Sequence, residues 1–586
     1  MRNEYPRPDA VRDSFVSLDK KWDFAFDDEN VGHVQKWFIN HVYDMKIEVP
    51  YAFQAKLSGI GDTKFHDHVW YHLTLGKIEL LKDERYMLHF EGIDYLSEIY
   101  LNGFLVKTHY GSEGAIVVDV TDYLNDKNEL TVYAFDPSTD RSIPRGKQDW
   151  QEESHGIFYT RTTGIYKSVW AQIVNKSHIK NFYVLTKIDG AIKVDLETTI
   201  NQGKVEFIVS DEDGKEEFDM PIEKNKADYE FKLCEEFIKD KLWEPGNPHL
   251  FDLTINLYDY LGRKVDTVKS YLGIREVEAK DGYVLINKKP VYQKLLLNQG
   301  YYIECILTAP SIEFMEEDID NMMKMGFNGC RIHQKVEEPY FLYLCDKKGF
   351  LVWQECPAHF GFSNYNQRRL LNGWIDIIKN NFNHPSIIAY TPLNESWGVE
   401  GIPENKQIQH FAQSLYYMIH SMDESRLVSG NDGWEECTTD LLTAHNYSHG
   451  QENEVEKYQK FVADLKDRDT ITAHSMINRY IINPGFEDEG QPIILSEFGG
   501  VAFVNATKTE ENKRAWGYTT CLDGDDFVKE LTRIYTAIAN SNCIVGVCYT
   551  QYTDVEQEVN GMMTYDRKFK VDPERIKAIN DMLQIK

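Results

Sequence analysis

The chain is short of three things: long apolar runs, basic charge and cysteines grouped in pairs. No segment approaches the roughly 18 consecutive apolar residues that a spanning helix needs, so no membrane partner is expected. The opening residues Met1-Arg2-Asn3-Glu4-Tyr5-Pro6 lack the apolar core of a secretory signal, and a cytoplasmic location is expected. Lys and Arg number 64 against 94 Asp and Glu, a net charge of −30. That balance argues against a nucleic-acid or anionic-membrane partner, and an anionic substrate would need a local basic cluster. The nine cysteines are scattered, with no CxxC and no Cys/His grouping at zinc spacing. Cys330, Cys345, Cys356, Cys543 and Cys548 lie in or beside apolar runs and read as free buried thiols. No acidic-His grouping has metal-ligand spacing, so neither metal nor cofactor is required.

What is present is 586 residues, too many for one core, so several domains are expected. Residues 1–175 read as all-β. Val69 to Leu75, Tyr86 to Phe90, Glu98 to Leu101 and Asn128 to Phe135 are short aromatic-aliphatic runs, and Asn102-Gly103 is a hairpin signal. Such spacing suggests a jelly-roll β-sandwich. The stretch from Pro144 to Val169 is dense in groups that hydrogen-bond or stack; it is read either as a surface loop or as a loop that reaches a pocket. Residues 176–275 carry further strands joined by charged turns such as Asp211-Glu212-Asp213-Gly214-Lys215, which fits an immunoglobulin-like β-sandwich.

From 276 to 586 apolar runs alternate with helical patterns. Strands are predicted at Val291 to Leu297, Gly326 to His333, Phe350 to Trp353, Ser386 to Tyr390, Arg426 to Ser429, Leu441 to Ala444, Pro492 to Leu495 and Ile544 to Tyr549. Helices are predicted between them, including Ile312 to Met325, Trp374 to Asn381 and Lys406 to Met422. This is the count of a (β/α)8 TIM barrel, in which chemistry sits at the C-terminal strand ends.

Two of those ends share a plan. Ser386 to Tyr390 is followed by Asn394, Glu395 and Trp397; Pro492 to Leu495 is followed by Glu497 and Gly499-Gly500. A single glutamate there is most simply a solvated loop acid. A pair fits glycoside hydrolysis, which uses one carboxyl to protonate the leaving oxygen and another to attack the anomeric carbon or activate water. Glu395 is assigned as acid/base and Glu497 as nucleophile, with Asn394 binding the neighbouring sugar hydroxyl. Asn298, Arg331, His333, His445, Asn446, Tyr447 and Tyr549 also end predicted strands. Trp397, Tyr447 and Tyr549 are candidate stacking faces for a pyranose. Glu355 ends the third strand and is weighed as an alternative carboxylate or as an orienter of the pocket.

These residues carry a resemblance. Phe90 to Gly103 (F-E-G-I-D-Y-L-S-E-I-Y-L-N-G), Gly164 to Val169, G-F-N-G-C-R-I-H at Gly326 to His333, N-H-P-S-I-I with N-E-S-W, and S-E-F-G-G resemble glycoside hydrolase family 2, the family of β-galactosidases, β-glucuronidases and β-mannosidases. The resemblance runs the length of the chain. It implies a retaining exo-β-glycosidase, most simply β-galactosidase-like, acting on a small β-glycoside or oligosaccharide. A β-uronidase is the alternative within the family, and a non-catalytic carbohydrate-binding protein the alternative outside it. Family relatives often form dimers or tetramers, so a homo-oligomer is compatible.

Two departures bear on the sugar. Family β-glucuronidases hold the sugar carboxylate with an Asn-x-Lys pair, whereas the matching stretch here is Glu558-Val559-Asn560-Gly561. The acidic residue that family members bring from the jelly-roll loop is matched by Phe158, with Glu152, Glu153 and Arg161 nearby. Arg161, Arg331 and Lys335 are the cations available to a uronic acid.

Overall fold

The computed structural model describes residues 4–224, 227–503 and 514–586. The first part is a sandwich of two antiparallel sheets. The larger runs in the order Met45–Glu48, Lys21–Phe26, His68–Gly76, Asn128–Phe135, Leu96–Leu101, Phe104–Tyr110; the smaller, Val16–Ser17, Val169–Asn175, Glu84–Phe90, Ile116–Asp119. Alternate side chains meet between them: Leu130, Val132 and Ala134 from one sheet share a core with Leu88, Phe90 and Ala171 from the other. Asn102 and Gly103 both take positive φ and close the predicted hairpin.

The second part is also a sandwich. Ile179–Thr186, Ala191–Thr198 and Asp228–Lys232 face a four-stranded sheet of Gly214–Ile222, Gly203–Asp211, Phe251–Asp259 and Lys264–Leu272. Val205, Phe207 and Val209 pack against Ile192, Val194 and Leu196, and the charged residues point outward.

The third part is an eight-stranded parallel sheet. Its strands are β1 (Gln293–Asn298), β2 (Gly329–Ile332), β3 (Leu351–Glu355), β4 (Ile387–Thr391), β5 (Leu427–Val428), β6 (Leu442–Asn446), β7 (Ile493–Gly499) and β8 (Ile544–Thr550). They neighbour in the order β5-β4-β3-β2-β1-β8-β7-β6. At the seam the turn before β6 replaces strand pairing: Asp440 N–H donates to Val428 O, and Val428 N–H donates to the Asp440 carboxylate. The pleat divides each strand. Leu295, Leu297, Leu351, Trp353, Ile494 and Cys548 fill the barrel, while Leu296, Cys330, Val352, Leu442, Leu495 and Tyr549 face the helices. The helix predicted from Trp374 begins ten residues earlier, at Asn364, because the Ser363 hydroxyl caps it by accepting from Asn366 N–H. Its polar first turns contribute little apolar signal, which is why periodicity located only its buried half.

The segment from Pro144 to Val169 leaves the first sandwich and crosses to the barrel. Arg145 and Gly146 N–H both donate to Ala358 O beyond β3, and Tyr159 Oη donates to Glu558 beyond β8. Gly146 has φ +56, and a Cβ there would lie 2.5 Å from Gln334 O, so only glycine lets the loop sit this close.

Asp346, fully buried near the end of the helix Pro339–Lys348, ties the second sandwich to the barrel. Its carboxylate takes Tyr271 Oη at 2.7 Å, His384 Nδ1 at 2.7 Å and Ser386 N–H at 2.8 Å. Tyr271 Oη and His384 Nδ1 also lie 3.0 Å apart, so alanine at 346 strands Ser386 N–H and leaves those two only each other, and Asp346→Ala is expected to cost about 3 kcal/mol. Tyr271→Phe, which removes one donor to that carboxylate and leaves the other two, is expected to cost about 1.5–2 kcal/mol. Thermal denaturation followed by near-ultraviolet circular dichroism checks the order of the two effects.

Candidate active site

The pleat of the barrel aims one residue of each strand end at the axis. On β2 that residue is Arg331, with no solvent exposure. Its guanidinium meets acids from three directions: Glu355 of β3 through Nε, Asp432 at 2.8 Å and Glu497 at 2.9 Å through Nη1. Nη2 donates to Asn394 Oδ1 at 2.6 Å. Glu355 also binds His333 Nδ1 at 3.1 Å and Gln334 N–H at 2.9 Å, so every part of that carboxylate is engaged. It orients its neighbours and has no free face for a substrate.

The chain leaves β4 through a turn in which Glu395 and Ser396 both occupy the left-handed region, at φ +52 and +57. Non-glycine residues there cost roughly 1–2 kcal/mol each. Glu395 N–H donates to Asp432 O and Ser396 N–H to Asn431 Oδ1, which hold the turn in place. The turn carries the Glu395 side chain toward β6 and β7. There His445 Nδ1 lies 2.8 Å from Glu395 Oε1 and 3.6 Å from Glu497 Oε2, while Nε2 lies 2.7 Å from Asp432 Oδ2. Ligand-type atoms of Glu395, His445 and Glu497 all fall within 4.8 Å of one another. Tyr447 Oη donates to Glu497 Oε2 at 2.6 Å.

The two glutamates differ in surroundings. Burial alone would raise the Glu497 carboxyl, but the charges of His445 and Arg331 outweigh it and hold the group well below its ordinary range. Glu497 is therefore ionised at neutrality. His445 is shifted the other way: burial opposes its charge, yet Glu497 and Asp432 push it up to about 10. Its contribution to stability is complete below its ordinary pKa of about 6.5 and is lost as pH rises through about 10.

Of the residues singled out from sequence, Glu395, Glu497, Asn394, Arg331, His333 and Tyr447 lie together. Trp397 sits beside them, half-buried against Phe158 and Phe360, with the Lys147 ammonium 5.1 Å from its ring. Tyr447 contributes its hydroxyl, and Tyr518 stacks on one face of its ring at 3.7 Å. Asn298 Oδ1 accepts from Gly300 N–H, while its buried Nδ2 meets no acceptor among the described residues. Three expectations are corrected. Tyr549 and Asn446 are on the helix-facing side of their strands: Tyr549 Oη accepts from Val501 N–H, and Asn446 Nδ2 meets Met476 Sδ. Arg161 stays in the first sandwich, over Phe65 and bonded to Lys64 O. Glu152 and Glu153 are exposed and do not take the place of an acidic loop residue. Sequence reading missed Asp432 and Lys147. Asp432 was findable, since Asn431-Asp432-Gly433-Trp434 follows the fifth strand as polar groups follow the others; Lys147 carried no comparable signal.

An oxygen of each carboxyl comes within 4.8 Å of the other, which suits double displacement, for which the carboxyls stand about 5–5.5 Å apart. Barrel and site have the layout of the glycoside hydrolases. The chain belongs to glycosyl hydrolases family 2: residues 15–172 match its sugar binding domain, 177–275 the family 2 domain that follows, and 277–585 its TIM barrel domain. It is 25% identical over 467 residues to a β-galactosidase of Thermoanaerobacter pseudethanolicus, covering 75% of this chain and 57% of that one. It is 23% identical over 428 residues to a β-glucuronidase of Streptococcus agalactiae, covering 67% and 68%. Several curated relatives are longer; the chain spans 52%, 57% and 63% of three of them. A β-glucuronidase of Bifidobacterium dentium, solved with coumarin-3-O-glucuronide, superimposes with a TM-score of 0.79 at 19% identity, covering 97% of this chain and 98% of that one.

Tyr447→Phe removes one charge-assisted donor from Glu497, worth about 1.5–3 kcal/mol. The expected result is a fall in kcat of roughly ten- to a hundredfold with the fold unchanged. Steady-state kinetics beside a thermal melt separate the two effects.

Proposed function

We propose that the protein is an exo-acting retaining β-glycosidase for a neutral sugar, with a β-galactoside as the first substrate class. The reading is carried by the pairing of an ionised Glu497 with Glu395 across one pocket. Glu497 attacks the anomeric carbon while Glu395 gives its proton to the leaving oxygen. Glu395 then takes a proton from water as that water displaces the sugar from Glu497. Asn394, its Oδ1 taken by Arg331, has its NH2 left to donate to the hydroxyl beside the reacting carbon.

The charge of the pocket supports a neutral sugar. Glu558 is buried, accepting from Tyr159 Oη at 2.5 Å and Asn560 Nδ2 at 3.0 Å, and it feels the charges of Glu497 and Lys147. Arg331 is consumed by its acids, and Lys335 by Glu337 and Gly300 O. A uronate carboxylate would enter beside carboxylates with little cationic compensation. The second reading, a β-glucuronide, is favoured by Lys147, whose ammonium stands over Trp397. The similarity of the fold to solved β-glucuronidases also favours it.

A panel of p-nitrophenyl β-glycosides tests both. Turnover of the galactoside above the glucuronide is expected, and the reverse order selects the second reading. Glu395→Gln is expected to lower kcat about 10²–10⁴-fold on poor leaving groups, with recovery on activated ones. Glu497→Gln is expected to abolish turnover. If both variants keep wild-type rates, the carboxylate assignment is wrong.

A further inference from the structure

His445 is placed as no bystander would be. One ring nitrogen faces the acid/base and the nucleophile together, and the other faces a third carboxylate. Asp432 on one side and the ionised Glu497 on the other are acceptors, and a ring that meets both carries hydrogen on both nitrogens, as an imidazolium. The surroundings are built around it. Gly433, at φ +103, would put a Cβ 2.7 Å from His445 Nδ1, so the turn after β5 is shaped to admit the ring. Trp434 covers its edge at 5.5 Å. The charged and titratable groups around it are Glu395 after β4, Asp432 after β5, Glu497 on β7, Arg331 on β2, His333 just after β2, and Glu355 on β3. Arg331 binds Asp432 and Glu497 from behind, so neither acid is free to take the imidazolium proton.

We propose that His445 is a charged positioning residue that donates to Glu395 throughout the reaction and stabilises the carboxylate which Glu395 becomes each time it gives up its proton. The idea rests on the glycosidase reading above. In the first step Glu395 loses its proton to the leaving oxygen, and the negative charge appears on the carboxyl whose Oε1 already faces His445 Nδ1. In the second step Glu395 regains a proton from water. His445 keeps both of its own protons, and Asp432 holds the ring at the angle that keeps Nδ1 on Glu395. Glu497 and Asp432, which outweigh burial and push the imidazolium up to about 10, agree with a ring charged across the working range.

The same imidazolium lies 3.6 Å from Glu497 Oε2, and its charge is the largest of those that hold the Glu497 carboxyl low. An opposite charge at this range lowers a carboxyl by about 1–3 pH units. Removing it is therefore expected to move the acidic limb of kcat/KM, set by Glu497, upward by about 1 pH unit or more in His445→Asn, and in His445→Gln as a second variant. A role in packing alone would lower the rate and leave that limb where it is, and that outcome overturns the proposal. The charge is read independently of turnover from the ¹⁵N shifts of the histidine rings in the wild-type protein. Both His445 nitrogens protonated at pH 8 supports the proposal; a neutral ring there overturns it. Should the wild type hydrolyse no β-glycoside, the functional reading fails on the panel, while the ring titration still decides the state of His445.

Discussion

The site depends on one buried cation. Arg331 has no contact with solvent and is surrounded by Glu355, Asp432 and Glu497. Bringing three carboxylates into the dry mouth of a barrel is unfavourable unless a charge offsets them, and a buried charge in turn requires good geometry to repay its own desolvation. The guanidinium meets that requirement because its fork presents several N–H groups in a plane. Its consequence is chemical. With Arg331 and His445 on one side, Glu497 is ionised, while Glu395, reached by His445 alone, sits partly open to solvent. Two identical side chains are thereby given different work.

The rest of the architecture holds that arrangement at fixed distances. Arg331, Glu355, His445 and Glu497 are on strands, so their spacing is set by the ladder and not by loop conformation. Glu395 is the exception, carried on a left-handed turn that Asp432 and Asn431 pin from the next strand end. The first sandwich adds Lys147, Phe158 and Tyr159 from a loop seated against Ala358 and Glu558. The candidate pocket thus belongs to two parts of the chain, and the second sandwich braces the barrel through Asp346 and Tyr271.

Much of this was legible beforehand. Eight apolar runs alternating with helical patterns predicted a barrel, and all eight appear as strands at those positions. Local propensity and burial were in agreement there, which is the condition under which pattern reading works. The pair of glutamates was legible for a different reason: an acid at the end of a buried strand contradicts the pattern around it. Side-chain direction was less legible. Tyr549 and Asn446 end strands as His445 and Thr550 do, yet lie one residue out of phase, and in a pleated strand one residue reverses the face. Asp432 sits on the shortest strand's exit, where the pattern was weakest.

By itself the sequence determined the three-part organisation, the barrel and the two acids on which the chemistry turns, because those features are written in periodicity and in polar residues breaking apolar runs. Only the tertiary structure decided which polar groups meet, that a histidine stands between the two glutamates, and that a loop from the first sandwich closes the pocket. Periodicity reports which residues are buried; it carries no information about which buried charges from distant strands become neighbours, and those neighbours set the protonation on which the reaction depends.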